Sequence, residues 1–166
     1  MTTQQLAKRL VREFTKRNFT IATAESCTGG LIAKCITDIA GSSAVLLGGF
    51  VTYTNQAKIE LLGVDPALID RDTEVSASCA KAMACGARER LKTAFGVSTT
   101  GYAGPTGGSD ADPVGTVFIG VSTPSTSFCE RFCAPVGATR AQVRAAAAHR
   151  AMDLLLLAAE KDKNIL

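Results

Sequence analysis

The sequence predicts an α/β fold, a single-domain layered sandwich with a mixed β-sheet flanked by helices. Three observations carry that prediction. The chain has 166 residues, 46% hydrophobic and 20% charged, which suits one globular domain with a full core. Short β-branched runs alternate with stretches of helical periodicity, the pattern of an α/β layered protein. Two late strand-like runs face each other across Pro124-Ser125-Thr126, and such a hairpin makes the sheet mixed rather than all parallel.

Taken in order, Leu6, Leu10, Val11 and Phe14 recur at helical spacing with basic residues between them, a first amphipathic helix. Thr20–Ala24 is short and β-branched, hence a strand, and it runs through Glu25-Ser26-Cys27-Thr28-Gly29-Gly30 into a helix over Leu31–Ile39. Ala40-Gly41-Ser42-Ser43 closes that helix and opens a second strand, Val45–Tyr53. Asn55 reads as the N-cap of a short helix through Leu62 that Gly63 ends, and Pro66 fits the first position of another turn. Ser76–Phe95 is a long alanine-rich helix with Gly96 as its C-terminal cap. Val97–Tyr102 is a strand, Ala103–Pro113 an irregular loop, Gly115–Thr123 and Ser127–Ala134 the hairpin, and Arg140–Ala159 the last helix.

Composition excludes several classes of function. Eighteen basic and fifteen acidic side chains leave a net charge of +3, with no run of five like charges, so no nucleic-acid partner is expected. The longest apolar stretches, Ala44–Val51 and Leu154–Ala159, fall short of the ~20 residues that span a bilayer. Lys8, Arg9 and Arg12 interrupt the first helix where a secretory signal would be apolar. A cytoplasmic protein without a membrane partner is the expectation. The six cysteines form no C-x-x-C pair and the only histidine is His149, so no disulfide framework, metal or cofactor is expected. A histidine-based triad would have to use His149.

Ligands of α/β sheets gather where strands end and helices begin, and three segments qualify. Glu25–Gly30 offers hydroxyls, a thiol and backbone N–H groups to an anion; equally, Ser26 and Thr28 read as helix caps. Tyr53–Lys58 ends in a lysine that burial would turn into a general base, although a solvated lysine on a helix face is the plainer reading. Thr100–Gly108 packs four glycines and a proline after a strand, which permits close approach of a ligand to the backbone, yet it matches neither G-x-G-x-x-G nor a P-loop. Arg140 and Arg144 stand one turn apart on the last helix and suit a phosphate or carboxylate.

Together these residues carry a pattern. Thr23-Ala24-Glu25-Ser26-Cys27-Thr28-Gly29-Gly30, Ile39-Ala40-Gly41-Ser42-Ser43, Gly49–Lys58, Gly101–Gly108 and Pro113-Val114-Gly115-Thr116-Val117 resemble the CinA C-terminal domain family, in order and from the first helix to the last. The resemblance implies a metal-independent amidohydrolase that converts nicotinamide mononucleotide and water to nicotinate mononucleotide and ammonia in pyridine nucleotide salvage. Carried over by position, it implies Ser26, Tyr53 and Lys58 as catalytic residues. The candidate substrate-binding residues are Glu25, Thr28, Gly29, Gly30, Ser42, Asn55, Thr100, Gly101, Gly104, Pro105, Gly107, Gly108 and Arg140, with Arg144 in reserve; of these the resemblance carries over Thr100 and Arg140. Ser26 would attack the carboxamide, Lys58 take its proton and Tyr53 orient or relay, while N–H groups at Thr28–Gly30 hold the oxyanion or the phosphate. One departure stands out: where many members have Gly-Asp-Arg before the last helix, this chain has Gly137-Ala138-Thr139-Arg140. The N-terminal domain of two-domain CinA proteins has no counterpart here, so its activity is not expected. The resemblance and the alanine-rich last helix also imply a homo-oligomer. Two rival readings remain, a non-enzymatic nucleotide-binding module associated with competence or damage, and a cysteine-dependent hydrolase or redox enzyme that uses Cys27.

Overall fold

The computed structural model describes residues 1–161. Its elements are α1 (Thr3–Lys16), β1 (Ile21–Glu25), α2 (Leu31–Thr37), a 3-10 turn (Ser42–Ala44), β2 (Leu46–Val51), α3 (Asn55–Leu62), α4 (Pro66–Asp72), α5 (Ala77–Leu91), β3 (Phe95–Gly101), β4 (Thr116–Ser122), β5 (Ser127–Cys133) and α6 (Arg140–Lys161). The five strands form one sheet in the order β2-β1-β3-β4-β5. β1 is parallel to β2 and β3, whereas β4 and β5 are antiparallel to their neighbours. The mixed α/β layered domain expected from the sequence is the fold observed.

Strand alternation divides the core into two. Ile21, Phe95, Val97, Val117, Ile119 and Val121 point to the face covered by α1, α2 and α6. Ala22 and Ala24 point to the other face, where they pack with Met83 and Ala87 of α5 and Leu62 of α3. β1, β3 and β4 are buried along nearly their whole length, and β2 and β5 are half-exposed edges. On the first face Phe14, Phe19 and Phe95 meet as an aromatic trio with ring centroids 5.0–5.7 Å apart. Full burial of one such ring contributes ~1.5–3 kcal/mol.

That trio accounts for one correction. The long helix does not reach Phe95 and Gly96 is not its cap: α5 stops at Leu91, and Lys92 takes the left-handed conformation instead. Phe95 is drawn into β3 by its aromatic partners, and Gly96 lies in the strand where a Cβ would collide with the Ala84 carbonyl of α5. Asn55 is likewise not an N-cap. Thr54 is, its hydroxyl accepting the Ala57 N–H, which leaves Asn55 at the first helical position. α2 ends at Thr37, two residues early.

The chain leaving β1 turns into α2 on one face, and the chain leaving the adjacent β2 turns into α3 on the other. This divergence opens a crevice at the carboxyl edge of the parallel strands.

Candidate functional site

β1 ends on Glu25, a fully buried carboxylate. Its Oε2 accepts from the Thr28 hydroxyl (2.6 Å) and from the Gly30 and Ile32 N–H groups (both 3.0 Å), and its Oε1 accepts from Ala33 N–H (2.9 Å). The anion at the start of α2 is therefore the protein's own, and the geometry is that of a carboxylate satisfying otherwise orphaned helix donors. Gly29 N–H is also committed, to the Ser26 carbonyl. Of the Thr28–Gly30 amides expected to receive an oxyanion or phosphate, those of Gly29 and Gly30 are already spent, and that part of the expectation is corrected. Thr28 is fully buried with its hydroxyl shared between Glu25 and Thr99. Glu25, Thr28, Gly29 and Gly30 hold the turn rather than line the cavity. Ser26 and Thr28 do not cap α2 either: Gly30 is its N-cap and supplies no side chain. Ser26 is left facing the crevice.

Lys58 lies on α3, and the reading of it as a solvated lysine is overturned: it is 1% exposed. Its Nζ donates to the Thr52 carbonyl at 3.1 Å and lies 3.4 Å from Ser26 Oγ. Burial pushes the ammonium below the ordinary lysine range, against a smaller opposing effect from Cys79, Glu74 and Cys27. Burial raises the Cys27 thiol to about 11, so it stays protonated at neutral pH, where a thiol is a weak nucleophile.

These groups open into a cavity of about 230 Å³, lined by Ser26, Cys27, Tyr53, Asn55, Lys58, Glu74, Val75, Thr100, Gly101, Tyr102, Ala103, Gly104, Thr106 and Arg140. Arg140 stands at its mouth, where Nη1 donates to the Gly104 carbonyl (2.7 Å) and Nη2 to the Tyr53 hydroxyl (3.1 Å). Arg140 is the first residue of α6. Thr139 and Gln142 bond each other's side chain to backbone, Thr139 N–H to Gln142 Oε1 and Gln142 N–H to Thr139 Oγ1, a capping box that starts α6 on Arg140. Arg144, one turn on, points elsewhere: it donates to the Cys27 and Thr28 carbonyls and braces the Ser26 turn.

The remaining expectations divide. Thr100 lines the cavity, but its hydroxyl is spent on the Glu74 carbonyl (2.6 Å). Gly101 and Gly104 line it too, and a Cβ on either would strike Thr116–Val117 or Val114. Pro105, Gly107 and Gly108 lie on the exposed outer part of that loop, outside the lining. Ser42 precedes β2 and so sits at the opposite end of the sheet from Ser26. Proximity in sequence to a familiar motif does not bring it to the site.

Glu74 is the charged lining residue that sequence reading missed. It follows Thr73, a non-glycine residue at φ 67°, and precedes the Ser76 cap of α5. The available signal was its position, a lone carboxylate where a helix begins. A larger groove of about 510 Å³ lies between the β4–β5 hairpin and the end of α6. There Arg150 is tied to Glu130 and Asp153. Among the described residues no cluster of three His, Cys, Asp or Glu side chains is placed to hold a metal ion, and no helix is long and apolar enough to cross a membrane.

A model of the CinA C-terminal domain matches residues 3–158. A CinA-like protein of Myxococcus xanthus is 47% identical over 137 residues, covering 82% of this chain and 32% of its own length. The chain spans roughly a quarter to a third of the length of the curated relatives it matches. Among solved structures, the competence/damage inducible protein CihA from Agrobacterium tumefaciens superposes with a TM-score of 0.90 at 40% identity, covering 93% of this chain and 94% of that one. The competence damage-inducible protein A (ComA) from Klebsiella pneumoniae gives a TM-score of 0.93 at 28% identity, over 98% and 100%.

Proposed function

The chain belongs to the CinA C-terminal domain family, and from that premise we propose that it is a metal-independent amidohydrolase converting nicotinamide mononucleotide and water to nicotinate mononucleotide and ammonia. One observation carries the reading: a lysine 1% exposed, its ammonium disfavoured by burial, 3.4 Å from a serine hydroxyl at the floor of a cavity. A buried amine beside a hydroxyl is a general base paired with a nucleophile.

Ser26 Oγ attacks the carboxamide carbon and its proton passes to the neutral Lys58 amine. With the Gly29 and Gly30 amides committed, the ammonium so formed stabilises the oxyanion beside it. Lys58 returns the proton to the amide nitrogen, the C–N bond breaks and ammonia leaves, with the acyl group held on Ser26 as an ester. Water then attacks that ester, Lys58 takes its proton and passes it to Ser26 Oγ, and nicotinate mononucleotide is released. Tyr53, held by Arg140, orients the substrate at the mouth, and Arg140 receives the phosphate.

The test is ammonia release from nicotinamide mononucleotide by the purified protein in excess chelator. Ammonia is expected. None at all overturns the activity, and loss on chelation with recovery on adding a divalent metal overturns the metal-free route. A purely binding module, the alternative suited to the competence and damage wording of the relatives' names, would bind the nucleotide and release nothing. It would also have no use for burying Lys58 against Ser26.

A further inference from the structure

Nicotinamide mononucleotide carries two opposite charges, a fixed cation on the ring nitrogen and an anionic phosphate beyond the ribose. Its amide must reach Ser26, so the ring enters first. At about 230 Å³ the cavity is smaller than the ~300–1,000 Å³ of sites that enclose drug-sized ligands. It takes the ring and leaves the phosphate at the mouth with Arg140. The ring's positive charge is then desolvated in a cavity that already holds Lys58, which becomes cationic as the reaction proceeds. A buried charge needs a partner.

Glu74 is the only carboxylate among the described residues lining the cavity, and among those residues it makes no side-chain hydrogen bond or ion pair. Its main chain is fixed, because Thr100 Oγ1 donates to the Glu74 carbonyl at 2.6 Å. Two lining side chains respond to its charge: the carboxylate favours the charged form of Lys58 and disfavours ionisation of Tyr102. It is thus anchored, unpaired and within electrostatic reach of the cavity's interior.

We propose that Glu74 is a specificity-determining residue, a counter-charge that makes the cavity select a cationic pyridinium carboxamide over a neutral ring of the same shape. The proposal rests on the amidohydrolase reading for its substrate, but its test does not depend on turnover. Two probes differ only in ring charge: 1-methylnicotinamide, a cation, and 3-methylbenzamide, its neutral isostere. Their affinities for the full chain are measured by ligand-observed NMR, which reads weak binding, in wild type and in Glu74→Gln.

The wild type should prefer the cation by about tenfold, and Glu74→Gln should bind the two probes within about twofold. A wild type that binds the cation no better than the isostere, binding neither included, overturns the proposal. So does a Glu74→Gln protein that keeps the preference. The exchange leaves the Glu74 carbonyl and its bond to Thr100 in place, and circular dichroism checks the fold. An effect exerted only through Lys58 would move the pH dependence of turnover to lower pH and leave ring preference unchanged. Ammonia release by the wild type is a separate measurement, so failure of the activity and failure of the charge selection are told apart.

Discussion

Ser26 and Lys58 are 32 positions apart in sequence and 3.4 Å apart in space, and the proposed chemistry stands on that approach. Ser26→Ala is expected to lower turnover at least about 10³-fold, whereas Cys27→Ala keeps a substantial part of it, since that thiol is buried and protonated. Steady-state ammonia release decides; a dead cysteine variant beside an active serine variant would reverse the assignment. To serve as the proposed base, Lys58 must lose its proton. Burial lowers its pKa, so the rate rises with pH through one ionisation below the ~10.4 of a free lysine. Lys58→Arg should be nearly inactive, because guanidinium holds its proton throughout this range. The stability sign follows from the same shift. The folded value lies below the unfolded one, so between the two the unfolded chain binds the extra proton and stability rises with pH. Lys58→Met removes that dependence and should fold with a stability within about 1 kcal/mol of wild type, because an apolar side chain of similar length replaces a buried amine. A pH–rate profile beside urea titrations of both variants checks these outcomes. Near-normal turnover in Lys58→Arg would show that position 58 supplies charge alone.

At the scale of elements, the β1–α2 junction is built from inside and braced from outside. The Glu25 carboxylate accepts three backbone N–H groups and one hydroxyl. Glu25→Gln turns an acceptor into a donor among donors, an expected loss of ~3 kcal/mol or more together with most of the activity. A denaturation midpoint close to wild type would show that the carboxylate does not hold the turn. The two arginines of α6 should separate cleanly. Arg140→Ala raises KM about tenfold or more with little change in kcat, since a charge-assisted hydrogen bond is worth ~1.5–3 kcal/mol and a uniform binding contact acts on KM. Arg144→Ala releases the Cys27 and Thr28 carbonyls and should lower kcat and thermal stability instead. If the two phenotypes were exchanged, the phosphate would belong to Arg144.

For the molecule as a whole, the close seat of α5 on the sheet depends on small residues. A Cβ at Gly96 would meet the Ala84 carbonyl oxygen, and one at Gly120 the Ala80 carbonyl oxygen, while Ser98 Oγ donates to that same Ala80 carbonyl. This contact fixes α5, and with it the Glu74–Ser76 entry to the cavity. Gly96→Ala is expected to cost ~1–3 kcal/mol through overpacking, read as a lower thermal midpoint. An unchanged midpoint would mean that α5 moves away from the sheet freely.

The sequence by itself determined the order and type of the elements. Apolar spacing at 3.6 or 2 residues is a local property, so the strands, the helices and the Pro124-Ser125-Thr126 hairpin were legible without knowledge of their partners. It also named Ser26, Tyr53 and Lys58, because their motifs are contiguous and specific, and Arg140 by its place at the start of the last helix. Where each side chain points was decided only by the tertiary structure. Lys58 reads as an ordinary exposed helical lysine until β2 and the Ser26 turn close over it. Glu25 becomes the anion of its own helix, Ser42 falls at the far end of the sheet, and Glu74 arrives at the cavity from a loop with no motif. Phe95 leaves a helix for a strand because Phe14 and Phe19 wait there. Burial and long-range contact are sums over residues far apart in the chain, and no local pattern contains them.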